Sequence, residues 1–314
     1  MISALGLFLV AGVAQAGSGP WVISEGDASV YIGAEVQRLT RLATGDGAWF
    51  GEGQGKGPDG GVIDVDSGIE STFVKFIPTF GLRDRVELEL DLPWARVEAN
   101  RVDGPVCTAL PLQPCATTEG IGVVGGRVKA LLLDELSGSP VSVAAGGALR
   151  VGTFTNETRA RITNLGEGTT DLGPFLAVGR SGGLSEGYWS AWVEGAWRHR
   201  FANTEAPDGT PVPGDEFQVD GELLAGARPW WSAGPAVTWY ARPDGVDFGA
   251  GDLADIDRFG ALRVANVRAG GKLILRSSGT TSFVLSALGT VYARNNPADL
   301  FAIGAGVSYH PKAR

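Results

Sequence analysis

Arg85-Val86-Glu87-Leu88-Glu89-Leu90-Asp91-Leu92-Pro93-Trp94 alternates charged and apolar residues without a miss from Arg85 to Leu92. Successive side chains of a β-strand point to opposite faces, so Arg85, Glu87, Glu89 and Asp91 share one face while Val86, Leu88, Leu90 and Leu92 share the other. A helix would scatter the four charges around its axis. Four ionisable groups on one side cannot lie in an ordinary packed core, so that face meets either bulk water or a polar lumen. Just upstream, Gly81-Leu82-Arg83-Asp84 reads as a short turn and 73–80 as an apolar strand, which makes the pair a hairpin.

The same unit recurs along the chain as runs of about ten residues of alternating polarity, joined by connections that are alternately long and short. Strands are expected over 29–41, 68–80, 85–99, 120–133, 141–154, 171–180, 188–201, 216–228, 235–242, 259–276, 283–294 and 300–309. Alternation in the run 259–276 slips near Arg263, as a β-bulge there would cause. No repeat, linker or shift of composition divides these runs, so they form one domain.

Three architectures can hold such strands. A sandwich does not favour long loops at one end so consistently, and a propeller carries a recurring blade motif that is not seen here. The pattern instead predicts an all-β fold, a transmembrane antiparallel up-and-down β-barrel of about twelve strands, apolar toward lipid and polar toward its lumen. Trp94, Tyr188, Trp189, Trp230, Trp231 and Tyr309 lie near strand ends, where interfacial aromatic girdles are expected.

Composition agrees. Gly is abundant at 48 of 314 residues, charged residues are 19% and Met occurs once, with a mean hydropathy of +0.06; this is neither a disordered nor a helical composition. The net charge of −9 and the lack of a basic stripe exclude nucleic acid as a partner. Residues 4–13 are apolar and lead into Ala14-Gln15-Ala16, an h-region and small-x-small site, although no Lys or Arg precedes Ala4. The expectation is a signal peptide over 1–16 and a barrel domain over 17–314, placed in the outer membrane of a Gram-negative bacterium. Cys107 and Cys115 are close in an exported chain and are expected to form a disulfide.

Phe80-Gly81-Leu82-Arg83-Asp84-Arg85-Val86-Glu87-Leu88, followed by Asp91-Leu92-Pro93-Trp94, resembles a segment of a family of Gram-negative outer-membrane proteins described as transporters associated with the meta-pathway of phenol degradation. Gly125-Gly126-Arg127-Val128-Lys129-Ala130 and the stretch from Leu165 to Pro174 resemble two further segments of that family. The resemblance is best over 73–201. It implies a porin-like transporter barrel for aromatic or other hydrophobic small molecules. The loop carrying Cys107 and Cys115, and the ending Tyr309-His310-Pro311-Lys312-Ala313-Arg314 in place of a terminal aromatic, depart from it.

Candidate lumen-lining charges follow from the strand phases: Glu35, Glu87, Glu89, Asp91, Arg127, Lys129, Arg150, Glu194, Arg198, Arg200, Asp220, Glu222, Arg228, Arg268 and Lys272. The acids and bases are mixed, which suits either a wet channel for small solutes or a barrel filled by ion pairs. The connection 44–66, rich in Gly and Asp, is expected as an outer loop that could fold inward as a constriction. No cofactor and no metal site is expected, since the chain has two His and no calcium-loop spacing. The reading is a non-enzymatic channel whose partners are outer-membrane lipid, lipopolysaccharide and a small solute. The alternatives are a structural or adhesive barrel with a closed lumen and, less favoured, an outer-leaflet lipid hydrolase built on His199. Oligomeric state is not legible in the sequence.

Overall fold

The structure is a computed structural model that describes residues 19–44, 48–49, 61–99, 117–152, 169–201, 214–245, 263–277 and 279–311. Among them are fourteen strands: β1 (Ala28–Thr44), β2 (Ala48–Trp49), β3 (Gly61–Arg83), β4 (Val86–Ala99), β5 (Thr118–Ile121), β6 (Val124–Leu133), β7 (Ser142–Val151), β8 (Thr170–Gly183), β9 (Tyr188–Phe201), β10 (Glu216–Gly226), β11 (Trp231–Arg242), β12 (Val264–Arg276), β13 (Thr281–Arg294) and β14 (Asn296–Tyr309). Twelve of them build the wall in the order β1-β3-β4-β6-β7-β8-β9-β10-β11-β12-β13-β14, and β14 pairs back onto β1. Every neighbour is antiparallel, so the sheet closes on itself as an all-β barrel. The two short strands are additions, β5 on β4 and β2 on β13.

Closure leaves no free edge, which is what a sheet surrounded by hydrocarbon requires. No described helix is long and apolar enough to cross a membrane; the strands do the crossing. The barrel matches outer-membrane architecture, with short turns at one, periplasmic, end and long connections at the other.

The period-two pattern read in the sequence appears as alternating burial. On β4, Glu87, Glu89, Ala95 and Val97 are buried, while Leu92 and Trp94 are exposed on the outside. On β8 the buried Asp171, Phe175 and Ala177 alternate with exposed Leu172 and Leu176. The exterior is therefore a continuous apolar belt and the interior carries the polar side chains. Inside, one apolar cluster of Tyr31, Ile77 and Val284, with Ile274 against it, sits on the β1, β3 and β13 side. The Tyr31 ring lies flat against Gly33 and Gly306, positions where any Cβ would collide with it.

Several boundaries differ from expectation for identifiable reasons. The connection expected over 44–66 is shorter, because β3 begins at Gly61 and Ala48–Trp49 pairs with β13; residues 50–60 lie outside the described residues. The run 120–133 is two strands broken at Gly122-Val123, opposite Pro93, which has no N–H to continue the ladder. β11 starts at Trp231 instead of Pro235. The bulge expected near Arg263 falls at the edge of the described residues, just before β12 begins; a bulge is present on β13, where Val267 pairs with Tyr292 and Arg268 with Thr290, leaving Val291 as the extra residue. Tyr188 is not a girdle residue, since its hydroxyl donates to Ser232 Oγ at 2.8 Å and its ring lies 4.5 Å under the Arg276 guanidinium. The signal-peptide segment and the Cys107–Cys115 pair lie outside the described residues.

Leu176 stands midway along β8 on the outer face, 51% exposed in the isolated chain. Replacing it with Arg should cost about 2–4 kcal/mol of stability, the cost of a cation near the bilayer midplane. Urea unfolding from lipid vesicles measures this, and a neutral result would remove lipid from that face.

Candidate functional site: an ion-paired lumen crossed by an N-terminal segment

Closure determines register, and register determines which lumen charges meet. Glu87 pairs across to Lys129 and Glu89 to Arg127 on adjacent strands β4 and β6; their ion pairs measure 2.7 and 3.0 Å. Arg198 on β9 faces Glu216 on β10 at 3.1 Å, and Asp171 on β8 faces Arg200 on β9 at 3.7 Å. Arg200 also contacts Glu216, whose carboxylate accepts the Tyr240 hydroxyl at 2.8 Å.

A second set of pairs skips strands and reaches into the lumen. Arg127 on β6 reaches Glu194 on β9 at 2.9 Å, three strands away round the wall. Lys272 on β12 donates to Glu222 on β10 at 2.9 Å, and Arg268 on β12 lies 3.6 Å from Glu35 on β1, which also takes the Gln37 side-chain amide. Asp220 accepts the Gln218 amide at 2.6 Å. Asp91 and Arg150 occupy inner positions of β4 and β7 at the same level of the wall, either side of Gly125. Buried charges such as Lys129, Arg127, Arg198 and Lys272 survive in this lumen because each is set against an acid.

One expected residue belongs elsewhere. Arg228 lies beyond the end of β10 in the exposed turn to β11, where it pairs with Glu186. The alternation that placed it inward stops at Gly226, where the strand ends. Conversely, Asp171 and Glu216 line the interior and were not singled out from sequence, although both are in phase with their strands. Strand ends carry too few alternations to fix a phase with confidence.

The largest feature missed from sequence is residues 19–24, which enter the barrel before β1 begins. Gly19 packs against Trp192 on β9, and Pro20 fills the place a Cβ on Gly179 of β8 would need. Lys129 Nζ donates to Gly19 O at 3.0 Å, and the Ile23 N–H donates to Glu87 Oε2 at 3.0 Å. Ser24 O sits where a Cβ on Gly81 of β3 would be, so only Gly permits the segment to lie this close. β9 is half-way round the twelve-strand ring from β1. The segment therefore spans the lumen near its short-turn end, with Gly19 and Pro20 both buried. The Glu87–Lys129 pair, with side chains 1% and 0% exposed, is its anchor.

A second anchor lies outside the wall. The turn after β6 forms a one-turn 3-10 helix, Glu135–Ser137, capped by Asp134, whose side chain accepts the Leu136 N–H, and closed by Gly138 at φ 97°. Glu135 accepts the Trp21 indole N–H at 3.1 Å and the Ser181 amide and hydroxyl at 2.9 and 2.5 Å. Partial burial acts to raise the Glu135 carboxyl, but these donors outweigh it and hold it below the ordinary glutamate range.

His199 points outward between Trp197 and Phe201, with its Nδ1 2.8 Å from Asp215 Oδ1. Those are its partners among the described residues, and they offer no nucleophile to activate. No group of three or more metal-ligating side chains is found among the described residues.

This arrangement, a closed barrel with a lipid-facing belt and an ion-paired interior, defines an outer-membrane barrel protein. No protein-family model matches the chain, and no curated protein sequence matches it. Among solved structures, the COG4313 outer membrane channel from Pseudomonas putida F1 is similar over 95% of this chain and 100% of its own, with a TM-score of 0.67 at 15% identity. The Ralstonia pickettii toluene transporter TbuX aligns over 95% of this chain and 93% of its own, at TM-score 0.34 and 8% identity. The translocator domain of the autotransporter NalP from Neisseria meningitidis aligns over 95% and 91%, at TM-score 0.40 and 11% identity. The first likeness establishes the fold; the other two are too distant to add to it.

Replacing Lys129 with Ala would leave Glu87 charged, buried and without its cation, and should cost about 3–5 kcal/mol in urea unfolding. Substituting Leu and Met for Glu87 and Lys129 together should restore most of that stability. It should also free residues 19–24, read as new protease cleavage near Pro20. Because the folded-state pKa of Glu135 is depressed, its contribution is complete above the ordinary glutamate range and is lost as pH falls through and below it. Trp21 should then become solvent-exposed on acidification, and Glu135→Gln should weaken its hold already at neutral pH; indole fluorescence quenching follows both.

Proposed function

We propose that this protein is an outer-membrane channel through which small aromatic or otherwise hydrophobic solutes diffuse without energy coupling. The observation that carries the reading is the segment 19–24 lying across a polar lumen, held by side-chain contacts from Lys129, Glu87 and Glu135 rather than by the wall ladder. A purely structural barrel has no need of a separable closure at one mouth. The fold shared with an outer membrane channel supports the same reading. The aromatic solute class comes from the family resemblance of 73–201, and Phe73, Phe175 and Leu224 supply apolar inner positions among the charges.

Outside, Arg96 and Glu98 pair at 2.8 Å near the long-connection end of β4, where the apolar belt gives way. Lipopolysaccharide headgroups meet the barrel at that level. The chain acts without a cofactor, and nothing in the lumen is assigned a catalytic role.

A second reading is a barrel closed for structural or adhesive ends, and the struts Arg127–Glu194 and Arg268–Glu35 favour it. Planar-bilayer recording separates the two. The intact chain should show small, infrequent conductance, and removal of the residues before Glu25 should raise it severalfold. A barrel that stays non-conducting after that removal is the structural one.

A further inference from the structure

Arg150 differs from every other cation named in the lumen. It lies on the inner face of β7, one residue from the long-connection end of that strand. Five residues stand level round the wall: Asp91, Gly125, Arg150, Asp171 and Arg200, each in register with the next. The Arg150 stem crosses Gly125, where a Cβ would lie 3.7 Å from its Cγ and 3.5 Å from the Cβ of Asp91. Yet the Arg150 guanidinium makes no hydrogen bond and no ion pair with any described residue. Asp91 and Asp171 act on it through space alone, as do the cations Arg198 and Arg200.

Asp171 and Glu216 are already committed, whereas one carboxylate oxygen of Asp91 is buried without a hydrogen-bond partner among the described residues. Asp171 accepts the Thr169 hydroxyl at 2.7 Å and faces Arg200, while Glu216 serves Arg198, Arg200 and Tyr240. Arg150, Arg198 and Arg200 thus lie near one another in the outer part of the lumen, and Arg150 presents an open fork of N–H donors. A half-buried guanidinium without a protein acceptor keeps its donors open to the lumen, and a carboxylate matches its planar fork with two parallel bonds. Toward the periplasm the same two strands turn apolar on their inner face, with Ala148, Gly146 and Ala144 on β7 and Gly173, Phe175 and Ala177 on β8, the Phe175 ring lying against Gly146. A carboxylate held at Arg150 would lay its remainder along that strip.

We propose that Arg150 is an anion-binding position at the outer end of the lumen and that it selects solutes carrying a carboxylate on a small hydrophobic body, such as an aromatic monocarboxylate. The proposal rests on the channel reading only for the claim that such solutes pass onward; the binding itself does not require passage.

Equilibrium dialysis of radiolabelled benzoate against the full chain refolded in a neutral detergent tests it, with benzamide as the uncharged isostere and acetate as the carboxylate without a ring. Benzoate should bind saturably. Benzamide should bind about tenfold or more weakly, having lost a charge-assisted contact, and acetate should bind more weakly than benzoate for want of the apolar strip. Arg150→Gln should lower benzoate affinity by a similar factor and Arg150→Lys by less, while Arg228→Gln in the exposed turn after β10 should leave it unchanged. Equal uptake of benzoate and benzamide, equal uptake of benzoate and acetate, or full benzoate binding by a folded Arg150→Gln protein would each overturn the proposal. The wild-type comparison stands even if that variant fails to fold. Bilayer conductance with no benzoate binding removes the Arg150 site and keeps the channel; benzoate binding with no conductance does the reverse.

Discussion

Backbone N–H and C=O groups inside hydrocarbon have no water to bond, so a sheet there must pair its last strand with its first. In this chain β14 returns to β1, and everything else follows from that pairing. Once the ring is closed the pleat has only two directions, out to lipid and in to the lumen. Each strand must therefore divide its residues between a solvent that rejects charge and a confined space that must satisfy it. Exposed Leu176, Phe217 and Ile303 belong to the first environment, and buried Glu87, Lys129, Arg198 and Glu216 to the second.

A confined space with charged walls is stable only if the charges meet. The register supplied by closure sets Glu87 against Lys129, Glu89 against Arg127 and Arg198 against Glu216. A slip of one residue on any of these strands would turn the whole set outward, so the polar alternation also enforces the register that pairs it. The strand-skipping pairs of Arg127 with Glu194 and Arg268 with Glu35 then tie distant parts of the wall together and narrow the bore.

The N-terminal segment exploits this charged wall. Its backbone cannot join the closed ladder, so its polar groups are met by side chains: Gly19 O by Lys129, the Ile23 N–H by Glu87, and the Trp21 indole by Glu135. The same ion pair that lets β4 and β6 carry charge inward serves as the seat of the closure. Gly81 and Gly179, lacking side chains, let the segment approach the wall. The segment is thus held by side-chain contacts, whereas the wall itself cannot open without unpaired backbone.

The stretch from Arg85 to Leu92 was enough by itself to establish strand and faces, because a period of two is a local property of the chain and a run of eight residues displays it in full; the membrane barrel needed the recurrence of such runs with alternately long and short connections. The total of wall strands was legible on the same ground. Where few residues carried the alternation it misled: Arg228 lies past the end of β10, and Tyr188 turns to the inner rim. Only the tertiary structure could decide which charge meets which, where the extra residue on β13 falls, and that residues 19–24 cross the lumen. Those outcomes depend on closing the ring, which brings Lys129 to Gly19 across 110 positions of sequence, and no periodicity along the chain encodes a contact of that range.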